Sequence, residues 1–278
     1  MKKVGFIDYY LDEWHANNYP AMIAEQSEGR YQVCYAYGMI DSPKGGMTNM
    51  QWAAQYGVAL LDSIEAVIEK SDVLIVLSPD NPEMHEVLCE LPLRSGKPVY
   101  VDKTFAPDRE TALRIFENAE KHNTPCYSSS ALRFSAELDS IDTSKIAKIY
   151  SEGPGVYEIY SIHQIEPVIK LMGCRVKRVM GLGNLKHPSL LIEFEDGRLA
   201  QIQQYCKDGD FRITTCDENN EAIHYLIASD FFGLFIKGLI TFFDTGIIPV
   251  PHEQTVDVIS VRATGMKALN APYQWMDV

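Results

Sequence analysis

The sequence predicts a parallel-sheet α/β half followed by an α+β half with a largely antiparallel sheet. Three observations carry that expectation. Short β-rich runs alternate with helical patterns up to about residue 130, Val73 to Leu77 is continuously apolar, and a hairpin signal stands at Ser189 to Cys206. Alternation of this kind produces parallel strands joined by right-handed crossovers. An unbroken apolar strand suits a sheet covered on both faces.

Element by element, Lys3 to Asp8, Tyr31 to Gly38, Val73 to Leu77, Pro98 to Val101 and Cys126 to Ser130 read as strands. Between the first three, Tyr19 to Gln26, Met50 to Tyr56 and Ile64 to Lys70 read as helices. A further helix starts at the N-cap Asp108, carries Ala112, Ile115, Phe116 and Ala119 on one stripe, and is stopped by Pro125. In the second half, Ser189 to Phe194 and Arg198 to Cys206 flank Glu195-Asp196-Gly197, a hairpin turn. Helical patterns cover Ile162 to Met172, ended by Gly173, and Glu253 to Ala268. These assignments divide the chain at 1–130 and 131–278.

With 278 residues, 46% of them hydrophobic, the chain can bury a sizeable core, and its length favours two domains over one. The formal net charge of −13 repels both a phosphate backbone and an anionic membrane surface. Neither nucleic acid nor membrane is an expected partner. Six cysteines lie scattered without metal-ligand spacing, and the histidines form no cluster, so no metal is expected. The scattered cysteines suit a reducing cytoplasm, and Lys2 and Lys3 run straight into a strand, which suggests no signal peptide. The greasy stretch Phe231 to Phe243 is too short to cross a bilayer and contains Lys237, so it reads as a buried helix.

Several segments, in order, resemble the Gfo/Idh/MocA family of nicotinamide-dependent sugar and polyol oxidoreductases. Ser95-Gly96-Lys97-Pro98-Val99-Tyr100-Val101-Asp102-Lys103-Thr104-Phe105-Ala106 is similar to that family's "GKhVlcEKPla", with Asp for Glu and Thr for Pro. Ser71-Asp72-Val73 and Ser78-Pro79-Asp80-Asn81 leading to His85 resemble "D-V-D…T-P-N…H", one residue longer than usual. Ala131-Leu132-Arg133-Phe134 matches the crossover between domains, and His163-Gln164-Ile165-Glu166…Leu171-Met172-Gly173 resembles "H-x-x-D…L-x-G". Phe235 to Ala268, with Asp244 to Pro249, is similar to the C-terminal helix pair.

The resemblance implies a Rossmann-like N-terminal domain, an open-sheet C-terminal domain, a substrate pocket between them, and a homodimer or homotetramer formed through the sheets. It implies NAD or NADP as cofactor, with Asp8, Tyr10, Ser78, Pro79, Asn81 and Asp102 on the cofactor side. It implies catalytic roles for Lys103, His163 and Glu166, and substrate contacts for Arg133 and Tyr160.

Against this stands the first loop. A dinucleotide site needs glycines after the first strand, because the backbone must approach the pyrophosphate closely at a helix N-terminus. Here Asp8, Tyr10 and Glu13 occupy those places, and no acid ends the second strand; Asp41 lies a few residues on. Three functions therefore stay open. The chain is an oxidoreductase acting on a sugar or polyol-like substrate through a remodelled loop, with Lys44 near the adenosine end. Or it is a non-redox relative: a lyase, a sugar-ligand binder or a regulatory subunit. Or it is a structural partner with a vestigial pocket.

Alcohol oxidation needs a base for the hydroxyl proton and a cation or donor for the developing alkoxide. Lys103, beyond a parallel strand, and His163, at a helix start with Glu166 on the same face, have those chemistries. Glu166 is expected to orient the imidazole or to pair with Lys170. His85 reads as a packing residue, Arg133 as a crossover brace or an anion contact, and Tyr157 and Tyr160 as core or pocket aromatics.

Overall fold

The computed structural model describes Met1–Val278, the side chain of Cys206 excepted. The chain forms two compact units. One comprises Met1–Ser129 and Ile236–His252, the other Ser130–Phe235 and Glu253–Val278. The segment 236–252 thus returns to the first unit, so the units are not two consecutive stretches of sequence.

In the first unit the chain runs β1 (Lys2–Asp8), α1 (Trp14–Gln26), β2 (Tyr31–Gly38), α2 (Asn49–Tyr56), β3 (Ala59–Leu60), α3 (Ile64–Lys70) and β4 (Val73–Val76). It continues through α4 (His85–Cys89), β5 (Val99–Val101), α5 (Arg109–Lys121) and β6 (Cys126–Tyr127). Six strands pair in the order β3-β2-β1-β4-β5-β6, and every pairing is parallel. All four residues of β4 are buried, as its unbroken apolarity requires. Gly5 lets α3 close on the sheet: a Cβ there would stand 2.3 Å from Ser71 Oγ and 2.5 Å from Val67 Cγ1.

Helix α5 starts where its cap predicts, with the Asp108 carboxylate accepting from the Thr111 amide at 2.8 Å. Helix α1, in contrast, starts five residues before the expected Tyr19. Its cap is Glu13, a residue type rarely read as an N-cap, and the apolar pattern alone does not extend that far upstream. The strand expected to reach Ser130 ends at Tyr127.

The second unit contains α6 (Ala136–Asp139), β7 (Lys148–Pro154), α7 (Tyr157–Tyr160), α8 (Ile162–Met172), β8 (Val176–Gly181), β9 (Ser189–Phe194) and β10 (Leu199–Cys206). Strands β11 (Arg212–Cys216) and β12 (Ala222–Leu226) follow. Then come α9 (Phe231–Thr245), which runs on into the first unit, α10 (His252–Asn270) and β13 (Trp275–Asp277). Its sheet has the order β12-β11-β7-β10-β9-β8-β13, antiparallel except for β7 with β10. Helix α8 is buried along most of its length and ends at Gly173 in the left-handed conformation, φ 59°. In the orientation that satisfies its amide, Gln164 donates to Ser151 O at 2.9 Å and Gln203 O at 3.2 Å, joining α8 to two strands.

The core of the first unit includes Phe6, Trp52, Tyr100 and Phe242; that of the second includes Ile165, Phe194 and Ile202. Among the described residues no helix is long and apolar enough to cross a membrane.

Candidate active site

In the first unit the carboxyl ends of β1, β4 and β5 bring together the residues expected on the cofactor side, since ligands of open α/β sheets bind at that edge. Asp8 ends β1, Ser78 and Pro79 follow β4, and Asp102 and Lys103 follow β5; all are buried. Asp102 accepts from Tyr100 Oη at 3.0 Å and lies 3.4 Å from His15 Nδ1. His15 Nδ1 also lies 3.1 Å from Glu13 Oε2. Neither oxygen of Asp8 has a hydrogen-bond partner. Burial raises the Asp8 carboxyl well above the usual range, the charge of Glu13 adds to the rise, and the nearby Tyr9 and Tyr10 amides oppose it.

The loop from Tyr9 to Glu13 closes on itself and on its neighbours. Glu13 accepts from the backbone amides of His15, at 2.7 Å, and Ala16, at the start of α1. Leu11 N donates to Asn49 Oδ1 at 3.1 Å, while Asn49 Nδ2 donates to Gly38 O and Ile40 O at 3.1 and 2.7 Å. Asp12 accepts from Met47 N at 2.7 Å and from Asn17 Nδ2 at 3.1 Å. Lys44 pairs with Asp80 at 2.9 Å and lies 5.8 Å from the Tyr10 ring centroid. Asp41, the acid nearest the second strand, accepts from the Asn49 amide at 2.7 Å.

A dinucleotide pyrophosphate does not fit these residues in the usual place. The α1 amides that would meet it already hold a carboxylate, Asp8 and Glu13 set two acids beside it, and Tyr10 and Leu11 fill the space that glycines would leave.

His85 braces the Lys103 loop. His85, fully buried, places its two ring nitrogens at Phe105 O (3.1 Å) and Leu77 O, tying the chain after β4 to the chain after β5. Burial lowers its pKa, against the pull of Asp102 and the carbonyls. Its expected packing role agrees with this placement. Asn81 donates to Glu83 at 3.1 Å, and Ser78, at φ 89°, donates to Asn81 O at 3.1 Å. The Lys103–Thr104 peptide is cis.

In the second unit, His163 stands on the first turn of α8 with Nδ1 2.7 Å from Ser130 Oγ. Tyr160, 41% exposed, and Phe211 set their rings edge-on to the imidazole at 5.4 and 5.8 Å. Glu166 faces the crossover segment. Its Oε1 lies 3.2 Å from Arg133 Nη1, and both side chains are almost wholly buried. Arg133 Nη2 also donates to Gln254 Oε1. Lys170 turns instead to Asp139, at 2.8 Å, and to Arg133 O. A carboxylate on α8 that points into the unit needs a buried cation, and the crossover segment supplies one; Lys170 remains on the outer side. Arg133 is thus a strut holding Ala131–Phe134 to α8.

Sequence reasoning missed Ser130, Gln254, Asn49 and His15. The first two act over separations of 33 and 121 residues, for which no local pattern exists. The third had a local signal: Thr48-Asn49-Met50-Gln51 opens α2 with a capping box. Among the described residues no group of three or more His, Cys, Asp or Glu side chains is placed to hold a metal ion.

No family model matches the sequence, and no curated protein does. Solved structures match along the whole chain. A probable dehydrogenase from Thermotoga maritima superposes with a TM-score of 0.78 at 14% identity, covering 99% of this chain and 98% of that one. Myo-inositol 2-dehydrogenase from Lactobacillus plantarum gives 0.76 at 12% identity, covering 100% and 99%. Biliverdin reductase from Synechocystis, in complex with biliverdin and NADP+, gives 0.71 at 14% identity, covering 96% and 99%. These neighbours are oxidoreductases of the Gfo/Idh/MocA type, and the likeness at such identities is one of fold. The Rossmann-like sheet and the second, mostly antiparallel sheet are the architecture the motifs implied.

Proposed function

We propose that this chain acts on a small sugar- or polyol-like substrate bearing a carbonyl, by proton transfer at the adjacent carbon rather than by hydride transfer. The observation that carries this reading is the 2.7 Å contact between His163 Nδ1 and Ser130 Oγ. A serine hydroxyl on one nitrogen holds the ring's orientation, which an acid/base histidine requires. Proton exchange with a substrate is assigned to the His163 ring.

Only a C–H next to a carbonyl is acidic enough for an imidazole to take its proton, hence the substrate class. The electron pair released moves onto the carbonyl oxygen, and a cation beside that oxygen lowers the barrier. Tyr160, edge-on to the imidazole at 5.4 Å, is the group we assign to a substrate hydroxyl. Arg133 and Glu166 are positioning residues that fix α8. Support for the sugar-like class comes from the fold shared with inositol dehydrogenases and from the His163 and Lys103 motifs. An assembly of two or four copies through the second sheet belongs to the same proposal.

The test is substrate C–H exchange in D2O, followed by NMR, over ketoses, keto-inositols and uronates with no nucleotide added. Exchange that disappears in His163→Ala supports the reading. Exchange unaffected by His163→Ala refutes it. A second reading, NAD- or NADP-dependent oxidation of a polyol with His163 as the base, is favoured by the NADP+ complex among the neighbours. It requires the dinucleotide to sit elsewhere than on the α1 amides, and alcohol oxidation that depends on added NAD or NADP would establish it.

A further inference from the structure

We infer that Glu13 is a built-in ligand of the anion site at the α1 N-terminus, so that this unit excludes dinucleotides by occupying the cradle and not by having lost it. A thirteen-residue helix begins at Trp14, and the Glu13 carboxylate sits on two of its first amides, those of His15 and Ala16. Those donors, together with the positive end of the helix, make an N-terminus attractive to a phosphate. Here a side chain of the same backbone supplies the anion. Tethered two and three residues away, its effective concentration is on the order of millimolar or above, so a free phosphate competes at a disadvantage.

Two further features keep Glu13 in place, and a third meets an incoming anion. His15 Nδ1 lies 3.1 Å from Glu13 Oε2, within hydrogen-bond reach, and 3.4 Å from Asp102. The loop that delivers Glu13 is braced by Asn49, by the Asp12–Met47 bond and by the Lys44–Asp80 pair beside Tyr10. Asp8, 1% exposed with both oxygens unpartnered, is close enough for the charge of Glu13 to act on it. With Glu13 displaced, an incoming anion would still meet the buried Asp8 side chain where a glycine would leave room, so both residues belong to the exclusion. The inference concerns the first unit alone and holds whichever substrate the second unit handles.

The experiment titrates inorganic pyrophosphate, ADP and NADH into the full-length protein and into two double variants, Asp8→Asn/Glu13→Gln and Asp8→Gly/Glu13→Gly. Trp14, 48% exposed beside Glu13, reports by fluorescence, and thermal shift reports independently. The unaltered protein is expected to show no saturable binding below about 1 mM, a standard free energy of only ~4 kcal/mol. The glycine variant should bind all three probes at least tenfold more tightly, and the amide variant should fall between. Folded variants that gain nothing, or micromolar binding by the unaltered protein, overturn the inference. Should neither variant fold, the His15 and Ala16 amide resonances of the unaltered protein decide: stationary in excess pyrophosphate they uphold the inference, and titrating they overturn it. Because no readout uses catalysis, failure here leaves the proton-exchange reading standing, and the reverse.

Discussion

Replacing Arg133 by alanine tests most directly how the second unit holds its candidate histidine. The guanidinium lies 3.2 Å from Glu166, with side-chain exposures of 8% and 2%, so water screens the pair poorly. At an effective dielectric of about 20, opposite charges at that separation attract by roughly 5 kcal/mol. Part of that gain offsets the desolvation of both groups, yet removing one partner exposes the whole penalty on the other, and buried pairs broken in this way cost about 3–5 kcal/mol. Arg133→Ala also strips the donor from Gln254. We therefore expect urea denaturation, followed by circular dichroism, to show a loss of about 3–5 kcal/mol. Arg133→Met/Glu166→Leu should recover much of it, because an apolar pair of similar volume needs no desolvation. A loss below about 1 kcal/mol in Arg133→Ala would show that the pair behaves as a surface bridge and would refute the strut.

Other outcomes follow from the same geometry. Asp8→Asn should become more stable relative to the unaltered protein as pH rises. A folded-state pKa raised by burial means that the native state binds its proton more tightly than the unfolded chain does, so stability is full below the ordinary aspartate range and declines above it until the folded pKa is passed. Parallel denaturation series at acid and neutral pH check this, and a difference independent of pH contradicts it. Asn49→Ala removes three side-chain hydrogen bonds and should cost about 2–4 kcal/mol by urea midpoint, at roughly 1 kcal/mol for each bond. Ser130→Ala should lower the exchange rate by about tenfold or more and cost about 1–2 kcal/mol by urea midpoint, since its buried hydroxyl also accepts from the Leu132 amide at 3.2 Å, with Ser130→Thr restoring part of the rate. Cys89 and Cys126, buried thiols whose pKa burial raises, should resist alkylation until the protein unfolds.

Much of the fold was legible because its signals are local. The apolar run Val73–Val76, the Asp108 cap of α5 and the Gly173 stop of α8 each depend on residues within one turn or one strand. The missing glycines after β1 were equally plain, since a steric requirement on the backbone is written in residue type alone. The start of α1 was not plain, because Glu13 caps it with an atypical side chain.

Partner choice lay beyond the sequence. Helical spacing put Glu166 on one face with both His163 and Lys170 in reach, but it did not show that this face is buried against Arg133. Periodicity marked α9 as an apolar helix without saying which core it enters. Phe242 against Tyr127 and Asp244 with Arg30 and Tyr31 place its latter part in the first unit. A side chain's period along the chain states only that it must be buried or paired. Which of many distant groups satisfies it is decided when the whole chain competes for the same space, and so the identity of the strut, the histidine's serine and the carboxylate on α1 emerged from tertiary structure.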